Sequence, residues 1–272
     1  MNRTRVGFVG TGHIGEPMVE RLLAEGRHPI SVYARRDDVR KRLYGRGAVL
    51  VEQPTDLAAN EVVIACLFDD RQLIEVISPV IERMRPGSIM VSHTTGSPTR
   101  MRRLAELGAS RGVAVVEAPF SGTPEAIRQG ALTVLLAADD TAALDRAADV
   151  VSAYASPVHR VGPLGAALVA KLLNNALFAV CSQATLAALS IGRQLGVDDG
   201  SLLAVLADCS GGSTAGRYIS RSGQSAADYS ERLPRYLVKD LASVESVAAE
   251  LGVDVGDLLA AARRGPMDLD PA

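Results

Sequence analysis

The stretch "RVGFVGTGHIGEPMVERLLAEG" (Arg5–Gly26) decides the fold. The short apolar run Arg5–Val9 predicts a buried strand, and Ile14–Glu25 has the spacing of an amphipathic helix. Between them stand Gly10, Gly12 and Gly15. A lone GxGxxG is weak, but this one sits at a strand–turn–helix junction, the context its chemistry demands. Gly10 permits the tight turn and Gly12 lets the backbone approach a pyrophosphate. Gly15 lets helix and strand pack closely, with the helix N-terminus facing negative charge. His13 and Ile14 complete this candidate dinucleotide loop, although His13 alone could equally face solvent.

Working outward, the alternation continues. Further strands are predicted at Ile30–Ala34, Val62–Leu67, Ser88–Ser92, Val113–Glu117, Leu132–Ala137 and Pro157–Val161, with helix-like segments such as Pro98–Ser110 and Ala142–Ala153 between them. That pattern predicts an α/β architecture, a mostly parallel sheet covered by helices on both faces. After "VGPLG" (Val161–Gly165) the strands stop. A long helix runs to about Leu195, then helices are expected at Ser201–Cys209, Arg235–Leu251 and Asp254–Arg264. The boundary is placed there: residues 1–161 form a dinucleotide-binding domain and 162–272 a smaller all-helical substrate and dimerisation domain. The Gly/Ser-rich segment Ser210–Ser230 reads as a loop.

An acid at the end of the second strand would grip a ribose 2′-hydroxyl and select NAD. The chain reads "SVYARRDD" (Ser31–Asp38), with Arg35 and Arg36 first and Asp37 too late. A guanidinium there can pair with a 2′-phosphate, so NADP is expected over NAD. In "EAPFSGTPEAIRQGAL" (Glu117–Leu132), Ser121 and Thr123 are good N-cap types and Pro124 suits a first helical position. Ser121, with the backbone around Gly122 and Thr123, could hold a carboxylate; alone the pattern is a capped helix.

The stretch "AKLLNNALFAVCSQ" (Ala170–Gln183) reads as buried helix yet carries Lys171, Asn174 and Asn175. Only Lys41, Lys171 and Lys239 are lysines among the 29 basic residues; the rest are arginine. Lys41 reads as plain surface charge, but a lysine surviving that bias is a candidate for a position where a guanidinium cannot substitute, because lysine can change protonation state near neutrality. Lys171 and Asn175 share a helix face, expected to look into a cleft between the domains with Ser182 further along. An ammonium there stabilises the oxyanion that forms as hydride reaches a carbonyl carbon, and can donate its proton; the neutral amine serves the reverse direction. Asn175 can hold the substrate hydroxyl or the amine in line.

Together these segments resemble the β-hydroxyacid dehydrogenase family. The likeness runs in order over about residues 5–255: the opening glycine segment, "ARR" (Ala34–Arg36), "SHTTGSP" (Ser92–Pro98), "EAPFSGTPEAIRQGAL", "GPLGAALVAKLLNN" (Gly162–Asn175) and "LVKDL" (Leu237–Leu241). The resemblance implies a Rossmann-like domain, a long interdomain helix and an all-helical second domain that often forms homodimers. It implies a small carboxylate substrate, a β-hydroxyacid or its semialdehyde, with Lys171 catalytic, Asn175 orienting, and Ser121, Gly122 and Thr123 at the carboxylate. Thr95 and Lys239 would flank the cofactor, with Asp240 beside Lys239; Leu67, closing Val62–Leu67, joins the candidate cofactor contacts. Thr123 stands where the family usually has a second Gly, and Ser92 replaces a common Asp. Against the family's pattern the chain ends early, so the far wall of the pocket is expected to be open or supplied by a partner. An imine reductase shares the architecture but generally lacks the lysine; a non-catalytic NADP-binding module would tolerate its loss.

The net charge is −2, and "ARRDDVRKR" and "RMRRLAE" are balanced by acids or lie on helix-like segments, so no nucleic-acid partner is expected. Cys66, Cys181 and Cys209 lack ligand or disulfide spacing, and the four histidines show no metal pattern, so no metal is expected. His93 could touch a ligand or fill structure. The glycines of "VGFVG" spoil a signal-peptide core, and polar residues interrupt the apolar run Leu164–Ile191, which favours a buried helix over a membrane span. A cytoplasmic protein is the expectation.

Overall fold

Residues 3–270 are described here by a computed structural model. The chain divides into two compact units, 1–171 and 172–272. The first contains β1 (Val6–Val9), α1 (Gly15–Glu25), β2 (Ile30–Tyr33), α2 (Asp37–Gly45), β3 (Val49–Leu50), a 3-10 segment (Pro54–Ala59), β4 (Val62–Ala65) and α3 (Asp70–Ile81). It continues with β5 (Ile89–Ser92), α4 (Pro98–Ser110), β6 (Ala114–Glu117), β7 (Phe120–Ser121), α5 (Pro124–Arg128), β8 (Leu132–Ala137), α6 (Thr141–Val151) and β9 (Ala155–Gly162). The helix α7 (Ala166–Gln194) starts in the first unit and continues into the second. There follow α8 (Asp199–Asp208), α9 (Thr214–Arg221), α10 (Ala226–Arg232), α11 (Pro234–Leu251) and α12 (Gly256–Arg263).

Among the described residues the strands form one sheet in the order β3-β2-β1-β4-β5-β6-β8-β7, with β9 on β8. From β3 to β6 all pairs are parallel. Strand polarity reverses at β8, which is antiparallel to β6 and β7. The chain winds outward from β1 through β2 to β3, then returns to β4 on the other side of β1. In such doubly wound sheets the crevice at that reversal, beyond the strands' carboxyl ends, receives ligands. Gly10 after β1 and Leu67 after β4 both lie there.

Pleating separates the core into two layers. Val62 and Ile64 join Val6, Phe8 and Val32 on one face, while Val63 and Ala65 join Ile77, Met90 and Leu104 on the other. Fully burying an apolar side chain of this size contributes about 1.5–3 kcal/mol, so the central strands are the sheet's most firmly held part. Caps fix where helices begin: Asp69 accepts from Gln72 N (2.8 Å) at α3, and Asp140 accepts from Ala142 N and Ala143 N (2.8 and 3.1 Å) at α6.

The second unit has its own core, with Leu172, Ala176, Ala179, Leu186 and Leu189 of α7 against Leu237, Leu241 and Val244 of α11. By length and composition α7 could cross a membrane, and half of its most apolar window is buried inside the protein. Ser210–Ser230 is not a loop. It contains α9 and α10, because Ser213 and Ser225 cap them by accepting from Gly216 N (3.0 Å) and Asp228 N (3.1 Å), while Ala215, Ile219 and Ala226 are buried. The same serines that lowered the apolar content start the helices.

Candidate active site

The glycine turn carries the geometry a dinucleotide needs. Gly10 has φ +99°, and a Cβ there would collide with the Cys66 carbonyl; a Cβ on Gly15 would collide with the Gly10 carbonyl. Around Gly12 the space is open. Two glycines are thus consumed by tight packing, and the middle one leaves its backbone approachable. Ile14 precedes α1 without a side-chain cap, so the N–H groups of the first turn are not satisfied by any side chain at that position. An uncapped N-terminus ahead of an open glycine is a fit for a pyrophosphate.

Beyond this turn lies a cavity of about 350 Å³ lined by His13, Glu16, Pro17, Glu20, Arg36, Arg42 and Arg128. Arg36, the exposed residue just before α2, reaches Glu16 at 3.6 Å, while Arg42 grips the same carboxylate at 2.7 and 3.1 Å. Of the two arginines after β2, Arg36 lines this cavity; Arg35 is exposed and does not.

Loops beyond β4 and β5 close the neighbouring side. Thr94 is buried, and its hydroxyl lies 3.3 Å from both the N and the O of Leu67. Ser92 accepts from Thr94 N at 3.3 Å. Thr94 is therefore a brace between these loops, and Thr95, next to it, is half-buried.

The "FSGT" segment is a strand end turning into a helix. Ser121 lies in β7, paired with Thr133, so Thr123 alone caps α5, accepting from Ala126 N at 3.3 Å. Gly122 has φ +141°, and a Cβ there would lie 2.9 Å from the Leu132 side chain, so the turn requires glycine. Thr123→Ala should cost about 1 kcal/mol by losing the cap, whereas Thr123→Gly should cost only a few tenths. Urea denaturation of both variants checks this, and equal losses would remove the capping role.

Along α7, Lys171 is half-buried, Asn174 exposed and Asn175 buried at 9% exposure; Asn174 Nδ2 donates to Asn175 Oδ1 at 3.3 Å. The polar stripe ends there. Ser182 donates to Phe178 O (2.8 Å) within its own helix, and Gln183 exchanges hydrogen bonds with Met267 (2.8 and 2.9 Å). Their polarity is spent on structure. Lys239, exposed, and Asp240, half-buried, lie on α11.

Residues 5–162 match the family described as the NAD binding domain of 6-phosphogluconate dehydrogenase, and 165–264 the one described as NAD-binding of NADP-dependent 3-hydroxyisobutyrate dehydrogenase. The chain belongs to the β-hydroxyacid dehydrogenase family. It is 30% identical to human mitochondrial 3-hydroxyisobutyrate dehydrogenase over 217 residues, 78% of this chain. That match spans 63% of the human protein's length. An NAD-dependent L-serine dehydrogenase of Pseudomonas aeruginosa is 26% identical over 255 residues, 90% of this chain and 85% of that one. The fold is shared with 3-hydroxyisobutyrate dehydrogenase of Mycobacterium tuberculosis with L-serine, at a TM-score of 0.85 and 23% identity over 98% of this chain and 97% of that one.

Two buried groups of this β-hydroxyacid dehydrogenase family member were not predicted as site residues. Glu117, fully buried at the end of β6, accepts from Gly165 N (2.8 Å) and Leu168 N (3.4 Å). It ties the strand leading into Ser121–Thr123 to the first turn of the helix carrying Lys171. Burial pushes its carboxyl up to about 7, against the downward pull of the helix N–H donors. His93 lies beneath the same segment. Its Nδ1–H donates to Ala118 O (2.6 Å), which leaves Nε2 to accept from the Tyr154 hydroxyl (2.8 Å). Burial lowers the ring's pKa to about 4, so His93 is a neutral structural crosslink. Cys66, at the crevice, is pushed up to about 12 by burial and stays a thiol. Among the described residues no group of three His, Cys, Asp or Glu could hold a metal ion.

Proposed function

We propose that this protein is an NADP-dependent oxidoreductase that interconverts a small β-hydroxyacid and its semialdehyde or ketone, with Lys171 as general acid and base. The observation carrying this reading is Glu117. Its carboxylate fastens the start of α7 to the strand that runs into the carboxylate-holding segment, so the amine and the candidate substrate donors hang from one anchor. L-Serine, named with both the Pseudomonas aeruginosa enzyme and the Mycobacterium tuberculosis structure, is itself a β-hydroxy carboxylate.

The dinucleotide would be held by Gly10, Gly12, His13, Ile14 and Gly15 at its pyrophosphate, Arg36 with Arg35 at its 2′-phosphate, and Leu67, Thr95 and Lys239 at its nicotinamide end. When bound, it supplies or accepts the hydride. The chain's own residues do the rest. Ser121 and the N–H groups of Gly122 and Thr123 bind the carboxylate. The Lys171 ammonium stabilises negative charge growing on the carbonyl oxygen and hands it a proton; in oxidation the neutral amine removes the hydroxyl proton. Asn175, one turn along, orients the hydroxyl.

The division into a dinucleotide-binding domain, 1–161, and a helical substrate and dimerisation domain, 162–272, belongs to this proposal. So does a homodimer: Leu177 and Ile191 of α7 and Leu195 just after it are exposed, and α8 has no buried residue. A cytoplasmic site accords with the free thiols of Cys66, Cys181 and Cys209.

The test follows reduced-nicotinamide absorbance over a panel of short semialdehydes and hydroxyacids, with NADPH and NADH in parallel and cyclic imines as a separate arm. Turnover of the oxygen substrates, faster with NADPH, is expected. Turnover confined to imines would make the protein an imine reductase, and binding without any turnover a non-catalytic module.

A further inference from the structure

Three guanidinium groups and two carboxylates share the cavity beside the glycine turn, and their pairing is unequal. Glu16 is only 14% exposed, and Arg42 holds both of its oxygens, whereas Arg36 approaches one of them at 3.6 Å. Arg42 has a second acid, Asp38, at 3.0 Å. Arg36 is thus a loosely held cation, 61% exposed, standing next to a firmly held anion.

We propose that Glu16 sets the balance between NADP(H) and NAD(H), acting as a stand-in counter-ion on Arg36 that a 2′-phosphate must take over. The inference rests on the assignment of Arg36 to the 2′-phosphate above. Because Arg42 keeps Glu16 anchored, Arg36 can leave its contact without stranding a half-buried carboxylate. The carboxylate stays behind, however, within reach of the same guanidinium. It repels a dianionic phosphate there and tolerates, or accepts a hydrogen bond from, an unphosphorylated ribose hydroxyl. Arg128 on the cavity wall adds positive charge that offsets part of the repulsion. Glu16 therefore works against strict NADP selectivity from a position on α1, away from the loop after β2 where cofactor choice is usually read.

The experiment measures dissociation constants for NADPH and NADH by fluorescence titration, without turnover. Glu16→Gln should tighten NADPH about tenfold, the effect of one unit charge about 6 Å away in a partly screened site, and move NADH by less than about twofold on the same grounds. Arg42→Gln should act in the opposite sense, because Glu16, freed from Arg42, settles fully on Arg36 and weakens NADPH selectively. An unchanged NADPH-to-NADH ratio in Glu16→Gln, or parallel loss of both in the two variants, overturns the proposal while leaving dinucleotide binding intact. If wild-type protein binds neither dinucleotide, the cofactor reading itself falls.

Discussion

Lys171→Arg should lower turnover by roughly 10²–10⁴-fold, the range a positioned general acid and base contributes, while leaving NADPH affinity within about twofold. The substitution preserves positive charge and most of the stem, so it tests proton transfer rather than electrostatics alone. A guanidinium cannot give up its proton near neutrality. It is also a wider planar group that needs more room on α7, where the neighbouring Leu172 and Ala176 are buried in the second unit's core. Circular dichroism and NADPH titration confirm that the variant folds and binds. Single-turnover rates in both directions then read the chemistry. An oxidation rate close to wild type would place the proton acceptor elsewhere, because oxidation requires the base form that arginine cannot supply. Lys171→Met, which removes the charge as well, should be at least as slow.

What could be seen in the sequence was what local chemistry decides. The glycine turn was legible because its spacing is a covalent pattern, and Leu132–Ala137 and Pro98–Ser110 appear as predicted because a strand flanked by turns and a Ser-Pro cap leave few alternatives. The short β7 was not visible. Two residues have no periodicity, and their pairing with β8 is set by tertiary contact. Ser182 read as part of a functional stripe because its hydrogen bond to its own helix carries no mark in the sequence. Glu117 was missed as an anchor, and His93 was left between ligand contact and structural filling, for a related reason. Their partners lie 48 and 61 residues away, and only folding brings an acid to a helix start or an imidazole to a tyrosine. The one available signal was an acid closing an otherwise apolar strand.

Those two buried groups should give the pH dependence of stability opposite slopes, and Glu117→Gln should separate them. Glu117 has a folded pKa of about 7 against 4.5 for an ordinary carboxyl. The folded chain therefore holds a proton the unfolded chain has released. This contribution is fully present below pH 4.5 and is lost as pH rises to about 7. His93 is the reverse case, with a folded pKa of about 4 against 6.5. The unfolded chain takes up the proton first, so stability falls as pH drops from 6.5 towards 4. Across the shared window the proton counts offset and the wild-type curve is flattened. Each shift corresponds to about 3 kcal/mol over its range. Subtracting the Glu117→Gln urea-unfolding curve from wild type isolates Glu117: wild type should lose about 3 kcal/mol relative to the variant as pH rises from 4.5 to 7. His93→Asn should bend the other way, with wild type losing ground as pH falls from 6.5 to 4. Parallel curves for wild type and Glu117→Gln would mean that burial does not raise this carboxyl, its charge being fully compensated by the N–H donors that start α7.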